Sequence, residues 1–398
     1  LQHIELAEDV VGETFLLAAE TWGVRGIPPN PTAWLYLVAK QKLIPQFRRR
    51  KLLEETVMPQ LLTQAAEVEE GALPDFSEET IRDSQLRMLF AICTSVIADE
   101  AQIGLALRIL CGFGIDEIAS AFLTSKETIN KRLFRAKEKV RRANVTMELP
   151  PEGELVRRLD RVLHVIYLLF NEGYYSRTQN QTLQKGLCLE AMRLGIMLSE
   201  YEQTNGPKTN ALLALMCFHS SRFEARSGGR SGRGAQRVQT EPQSADPLLL
   251  YEQQDEARWD TALIRQGFAY LELALQGDEL STYHVEARIA SWHCTKEDTP
   301  DKWVAILDLY DQLIKINPSP SVALNRTYAL FKVRGREVAL TAAKKLRLES
   351  NHLYWTLLGE LNQEADPEQA RAQFRQALAL AKTPVDRQTI QQKLDRLR

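Results

Sequence analysis

Along nearly the whole chain, apolar residues recur at three- and four-residue spacing, and strand-like alternation is rare. The pattern predicts an all-α fold. Residues 5–22 and 31–50 read as a first helical pair, split by the turn GVRGIPPNP at 23–31. Residues 84–142 read as a compact helical unit, and Pro150 and Pro151 punctuate the boundary to a larger C-terminal half. That half opens with a long apolar helix at 155–176, followed by apolar helices around 183–200 and 208–223.

From about residue 303 the pattern changes to helix pairs. Trp355, Leu358 and Gly359, followed by Ala370 and Phe374, fit the tetratricopeptide pattern, a helix pair of about 34 residues. Trp303, Tyr310, Asn317-Pro318, Ala323, Ala329 and Gly335 form a looser copy. Two such pairs are too few for a free-standing solenoid, so they are expected to stack on the helices before them.

The stretch Gly114 to Arg142 carries the clearest chemistry. Ile115, Ile118, Ala119 and Phe122 give a short helix an inward face. Thr124 and Glu127 have capping-box spacing and predict the start of a second helix. In that helix Ile129, Leu133, Ala136 and Val140 make the buried stripe, leaving Lys126, Asn130, Lys131, Phe134, Arg135 and Lys137 outside. Residues 126–142 hold eight Lys/Arg against two Glu. Two short helices with a tight turn and a basic second helix have the layout of a helix-turn-helix that enters the DNA major groove.

Charge sharpens this picture. The chain of 398 residues has a net charge of only -2, yet residues 51–100 carry eleven Asp/Glu against three Lys/Arg. DNA contact is therefore expected from a local patch and not from the molecule's overall field. Within that stretch, residues 51–80 hold Pro59, Gly71 and Pro74 and read as a flexible linker. Residues 226–247 are rich in Gly, Ser and Arg, with almost no large apolar groups, and predict a mobile surface loop. Five scattered cysteines (93, 111, 188, 217, 294) without metal spacing predict free buried thiols in a reducing cytoplasm. Neither a signal peptide nor a run of membrane-spanning length is evident, so no membrane partner is expected.

The order of these pieces resembles the sigma-70 family, specifically extracytoplasmic-function sigma factors with a long C-terminal helical extension, across essentially the whole chain. Glu5 through Phe15 looks like the region-two helix that docks on core RNA polymerase, which assigns polymerase binding to Glu8, Asp9, Glu13 and Phe15. Pro31 through Lys40 and on to Arg50 is similar to the segment that reads and opens the -10 element. The resemblance places Trp34, Tyr36, Lys40, Gln41, Arg48, Arg49 and Arg50 there. Aromatic platforms beside phosphate-binding cations suit the holding of an opened strand, although Trp34 with Leu37 and Val38 also reads as an ordinary core stripe. The helix-turn-helix matches region four, placing Lys126, Asn130, Lys131, Phe134 and Arg135 at the -35 element. Phe170-Asn171-Glu172-Gly173-Tyr174 and Leu187 through Arg193 look like hallmark motifs of the extension.

The chain departs from the family at Gly12, commonly Gln, at Gln41, commonly Asn, and at Pro45, commonly Asp. Glycine weakens a helix by about 1 kcal/mol and an interior proline by about 3 kcal/mol. The chain also begins at Leu1, where the family already has helices behind it, so region two is expected to be incomplete. The resemblance implies region two at 1–52, an acidic linker at 53–83, region four at 84–147, a helical extension at 152–300 and tetratricopeptide-like repeats at 301–398. Core RNA polymerase, promoter DNA and a protein partner of the extension are the implied partners.

Against an enzyme stand six histidines (3, 164, 219, 284, 293, 352) without ligand spacing, and no glycine loop after a strand. No metal or other cofactor is expected. Glu172, in Asn171-Glu172, reads as a buried, paired group that fixes helix packing or as a cap for the next turn, rather than as a catalytic carboxylate. The other reading is a repeat-based interaction scaffold whose N-terminal part is a degenerate DNA-binding remnant.

Overall fold

The computed structural model describes residues 4–42 and 78–397, apart from 32–33, 36, 40, 123, 144, 146–148, 175–180 and 227–250. Among the described residues the fold is all-α, built of many short helices without a strand. Of the linker expected at 53–83, residues 53–77 lie outside the described residues, and so do residues 227–247 of the loop expected at 226–247. Two compact units emerge: Leu1–Leu105 with Lys131–Pro150, and Ala106–Asn130 with Pro151–Arg398.

In the first unit, α1 (Ile4–Arg25) buries Val10, Thr14 and Ala18, which stand four residues apart on one face. It ends where Gly26 takes a positive φ of 80° and its N–H reaches Trp22 O at 3.1 Å. That is the left-handed stop glycine provides without steric cost. Helix α2 (Glu78–Ile92) starts inside the stretch expected to be linker and buries Leu86, Leu89 and Phe90. Gln102, fully buried on α3 (Asp99–Ile109), donates to Thr94 O at 2.9 Å and Ile97 O at 2.8 Å, which fixes the preceding connection. Next in the chain come α4 (Ile115–Ala121), which falls in the second unit, and α5 (Lys126–Arg142), of which residues 131–142 fall in the first.

The second unit is centred on α8 (Pro207–Ser220), in which every residue from Thr209 to Phe218 is buried. Such a helix needs neighbours on all sides. They come from α6 (Glu152–Tyr174) and α7 (Gln181–Ser199), which precede it, and from α10 (Thr261–Ala274) and α11 (Thr282–Trp292), which follow the short α9 (Phe223–Arg226). Close approach of α8 and α10 requires Gly267, because a Cβ there would stand 2.7 Å from the Phe218 ring.

Six more helices complete the unit: α12 (Pro300–Ile316), α13 (Pro320–Arg334), α14 (Arg336–Lys345), α15 (His352–Asn362), α16 (Pro367–Leu380) and α17 (Pro384–Asp395). Four of them begin with the same device, a polar cap followed by proline in the first turn. Thr299, Ser319, Asp366 and Thr383 each accept a backbone N–H three residues on, ahead of Pro300, Pro320, Pro367 and Pro384. Proline's missing N–H costs nothing at that position, and its fixed φ already suits a helix. The helix pairs stack on the preceding helices as expected: Val285 and Ile289 of α11 share one core with Leu309 and Leu313 of α12 and with Val322 of α13.

Candidate nucleic-acid interface

Helix α4 opens on a one-sided cap, in which Gly114 N–H donates to Glu117 Oε2 at 2.7 Å. Just before it, Gly112 has a positive φ of 73°, and Arg108 Nη1 donates to Phe113 O at 3.2 Å. Ile118, Ala119 and Ala121 are buried, while Ile115 and Phe122 are half-buried. The turn closes as Thr124 N–H reaches Ala119 O at 2.9 Å.

The start of α5 differs from the sequence expectation by one residue. Ser125, not Thr124, is the cap: its Oγ accepts Thr128 N–H at 3.1 Å and lies 2.8 Å from Thr128 Oγ1. Both residues are competent caps, and the tight turn leaves Thr124 committed to Ala119. Glu127 then falls in the first turn, where its charge favours the helix dipole. Ser125→Ala should cost about 1 kcal/mol of stability, and Thr124→Ala less. Thermal unfolding of both variants checks this, and a larger loss at Thr124 would reassign the cap. Lys126 and Asp116 pair at 2.6 Å with both side chains about two-thirds exposed, a contact worth about 0–1 kcal/mol.

The two faces of α5 are as the spacing predicts. Ile129, Leu133, Ala136 and Val140 are at most 4% exposed. Lys126, Asn130, Lys131, Phe134 and Arg135 are exposed, and Lys137 is half-buried. Phe134 stands 59% in solvent between exposed Lys131 and Arg135. Glu138 pairs with Arg141 and, at 3.5 Å, with Arg142 near the helix end. The five candidate residues at the outer face therefore share one helix surface, positive and aromatic.

Of the other candidates, Glu8 lies on α1, where Asp9, Glu13 and Phe15 are exposed. Val11 and Leu16, at 49% and 62%, join Phe15 at 59% in an apolar surface, and Glu13 pairs with Lys42 at 2.9 Å. Trp34 packs against Trp22 with ring centroids 5.4 Å apart and is half-buried, so packing occupies part of its surface. Gln41 is exposed. Tyr36, Lys40, Arg48, Arg49 and Arg50 lie outside the described residues, as does Pro45. Gly12 is exposed, and a Cβ added there would meet no atom within 4 Å, so packing does not demand glycine at that position.

Sequence reasoning missed two features of the second unit. Arg193 joins its hallmark partner Glu190 at 2.7 Å and also donates to Leu110 O at 3.0 Å, tying the segment ahead of α4 to α7. Cys111 sits beside this pair, its thiol pushed up to about 12 by burial and then by Glu190. The second feature gathers Tyr174, His219, Arg222, Arg226, Tyr251 and His293. The tie to Leu110 and the meeting of Arg222 and Arg226 with Tyr174 and Tyr251 have no signal in local spacing, because those partners are far apart in sequence. His284, by contrast, is a satisfied core residue: Nδ1 accepts Ser281 N–H at 3.1 Å and Nε2 donates to Ala274 O at 3.1 Å. Cys93, Cys188, Cys217 and Cys294 are free and buried, and Cys111 is half-buried. Among the described residues no cluster of His, Cys, Asp or Glu has the makings of a metal site.

Residues 158–275 match a family of unknown function, DUF6596. Over an alignment of 403 residues the chain is 32% identical to an uncharacterized protein of Rhizobium meliloti, covering 100% of this chain and 91% of the relative. No solved structure matches it significantly.

Proposed function

The chain belongs to the family of that rhizobial protein along its whole length, and we propose that it is a sigma-type transcription initiation factor whose C-terminal half is a helical-repeat scaffold. The observation that carries the promoter reading is the outer face of α5, with exposed Lys126, Asn130, Lys131, Phe134 and Arg135 over a fully buried stripe. A dense positive strip on a second helix neutralises phosphates, and its side chains can reach base edges. The exposed apolar residues Val11, Phe15 and Leu16 on α1 support a docking role for that helix toward polymerase. The tie from Arg193 to Leu110 supports a regulatory role for the C-terminal half, since it joins α7 to the segment leading into α4. In this reading the chain acts in the cytoplasm without a cofactor; among the described residues no helix is long and apolar enough to cross a membrane.

A scaffold alone, with a degenerate DNA-binding part, is the second reading, and the helix packing speaks for it more directly. Gly359 admits the Phe374 ring between α15 and α16, the small-against-large contact of a tetratricopeptide pair. Purified core RNA polymerase separates the two. The full chain should retain core polymerase on a pull-down and bind promoter duplex specifically only with polymerase present. No retention of core by this chain, or by one extended upstream of Leu1, leaves the scaffold.

A further inference from the structure

Tyr174 ends the hallmark stretch that begins at Phe170, and it is buried among both rings and cations. It stacks on Phe170, with centroids 5.8 Å apart, and lies 4.5 Å from the His219 ring. Arg226 sits over the tyrosine ring at 4.1 Å and donates Nη1 to Tyr174 O at 3.3 Å. Arg222 is only 9% exposed, and its Nε is buried without a hydrogen-bond partner. Its Nη2 stands 3.5 Å from both Tyr174 Oη and His219 Nδ1, at the outer limit of hydrogen bonding. On the far side Arg222 lies 5.5 Å from the Tyr251 ring centre, and Lys302 lies 5.8 Å from the same ring.

Buried charges are ordinarily paired with opposite charge, because leaving water is costly. Here, among the described residues, no carboxylate forms an ion pair with Arg222 or Arg226. Lys302, 3% exposed, donates to the carbonyls of Thr295 at 2.6 Å and Glu297 at 3.2 Å. The acidic groups nearby, Asp298 and Glu256, act on Lys302, and Asp298 is already paired with Lys332 at 2.6 Å. Burial and the neighbouring cations keep both imidazoles neutral, His219 far below its usual range and His293 at about 3. Three cations thus converge on two tyrosine rings and two neutral histidines. Arg226 and Tyr251 are half-buried, so the cluster reaches solvent at its margin.

We infer that the Tyr174–Arg222–Arg226–Tyr251 cluster is a binding site for a small phosphate-bearing anion. Two guanidinium groups from successive turns offer more donors than one carboxylate can accept, and their two positive charges suit a dianion. The free Arg222 Nε is the donor that the ligand would satisfy. This site is independent of whether the chain recognises promoters.

The test titrates inorganic phosphate, and in a separate arm glucose 6-phosphate, against thermal unfolding of the full chain, with ionic strength held constant by sodium chloride. The wild-type chain should show a saturable rise in Tm, and Arg222→Met should show none. Arg226→Gln should raise the half-saturating concentration about tenfold or more. The pair Lys131→Ala/Arg135→Ala should respond as wild type, because those residues lie on α5. A response in either arm supports the site, and the tighter one distinguishes a free ion from a phosphomonoester. Should Arg222→Met not fold, the half-exposed Arg226 carries the comparison. No saturable rise in the wild type overturns the inference. So does an equal response in Arg222→Met and Arg226→Gln, or a response abolished by the α5 pair.

Discussion

Phe374→Ala is expected to destabilise the second unit by about 3–5 kcal/mol, the cost of removing a fully buried aromatic ring from a close-packed site. The ring is 0% exposed and shares a core with Ala370, Ala377, Ala381 and Ile390, with Trp355 packed against it. What makes the site exacting is Gly359 on α15. A Cβ there would lie 2.6–2.8 Å from three atoms of the ring, closer than side chains approach. Gly359→Ala alone should therefore cost stability despite alanine's better helix propensity, because the ring has to move. In the Phe374→Ala background the same change should be neutral or favourable, since a methyl group fills part of the vacated space. The coupling in this double-mutant cycle should be about 1–3 kcal/mol. Urea unfolding followed by circular dichroism measures all four variants. Helix pairs can unfold separately, so an unchanged m-value is part of the check. A loss below about 1 kcal/mol for Phe374→Ala would mean that α15 and α16 do not depend on this contact.

That contact is legible in the sequence because it is local: Trp355, Leu358, Gly359, Ala370 and Phe374 are drawn from two adjacent helices, and their spacing alone sets them face to face. The stripe of α5 is legible for the same reason, as four residues on one helix surface. The cap falls one residue later than the spacing suggests because Thr124 and Ser125 offer the same hydroxyl chemistry, and only the turn geometry decides between them. The start of α2 reads as linker, since Glu78 and Glu79 extend the acidic run ahead of the apolar face that holds buried Leu86. The Arg222 cluster is not legible at all. It joins the end of α6, the end of α8, residue 251 and the start of α12, and Arg222 and Arg226 in sequence look like ordinary surface cations. Buried charge without a partner is a property of three-dimensional packing, to which period and composition are blind.

Lys131→Ala/Arg135→Ala is expected to lower the affinity of the chain for duplex DNA by about 2–4 kcal/mol if one side chain reaches a base edge and the other a phosphate. Both lie four residues apart on the exposed face of α5, outside the stripe formed by Ile129, Leu133, Ala136 and Val140. Their removal should therefore leave the helix and the Tm essentially unchanged. The salt dependence carries the mechanism. Each cation that neutralises a phosphate releases counterions, so losing both should flatten the slope of log K against log salt by up to about 1.8. Phe134→Ala offers the contrast. Its ring is 59% exposed and uncharged, so its loss should reduce affinity through apolar contact with a base while leaving the salt slope as it was. Measurements run with core polymerase present, over a range of salt, on promoter and scrambled duplexes. An unchanged slope in the double variant removes α5 from the DNA. A flattened slope with equal losses on both duplexes makes its contacts electrostatic, and sequence reading would then have to come from another part of the chain.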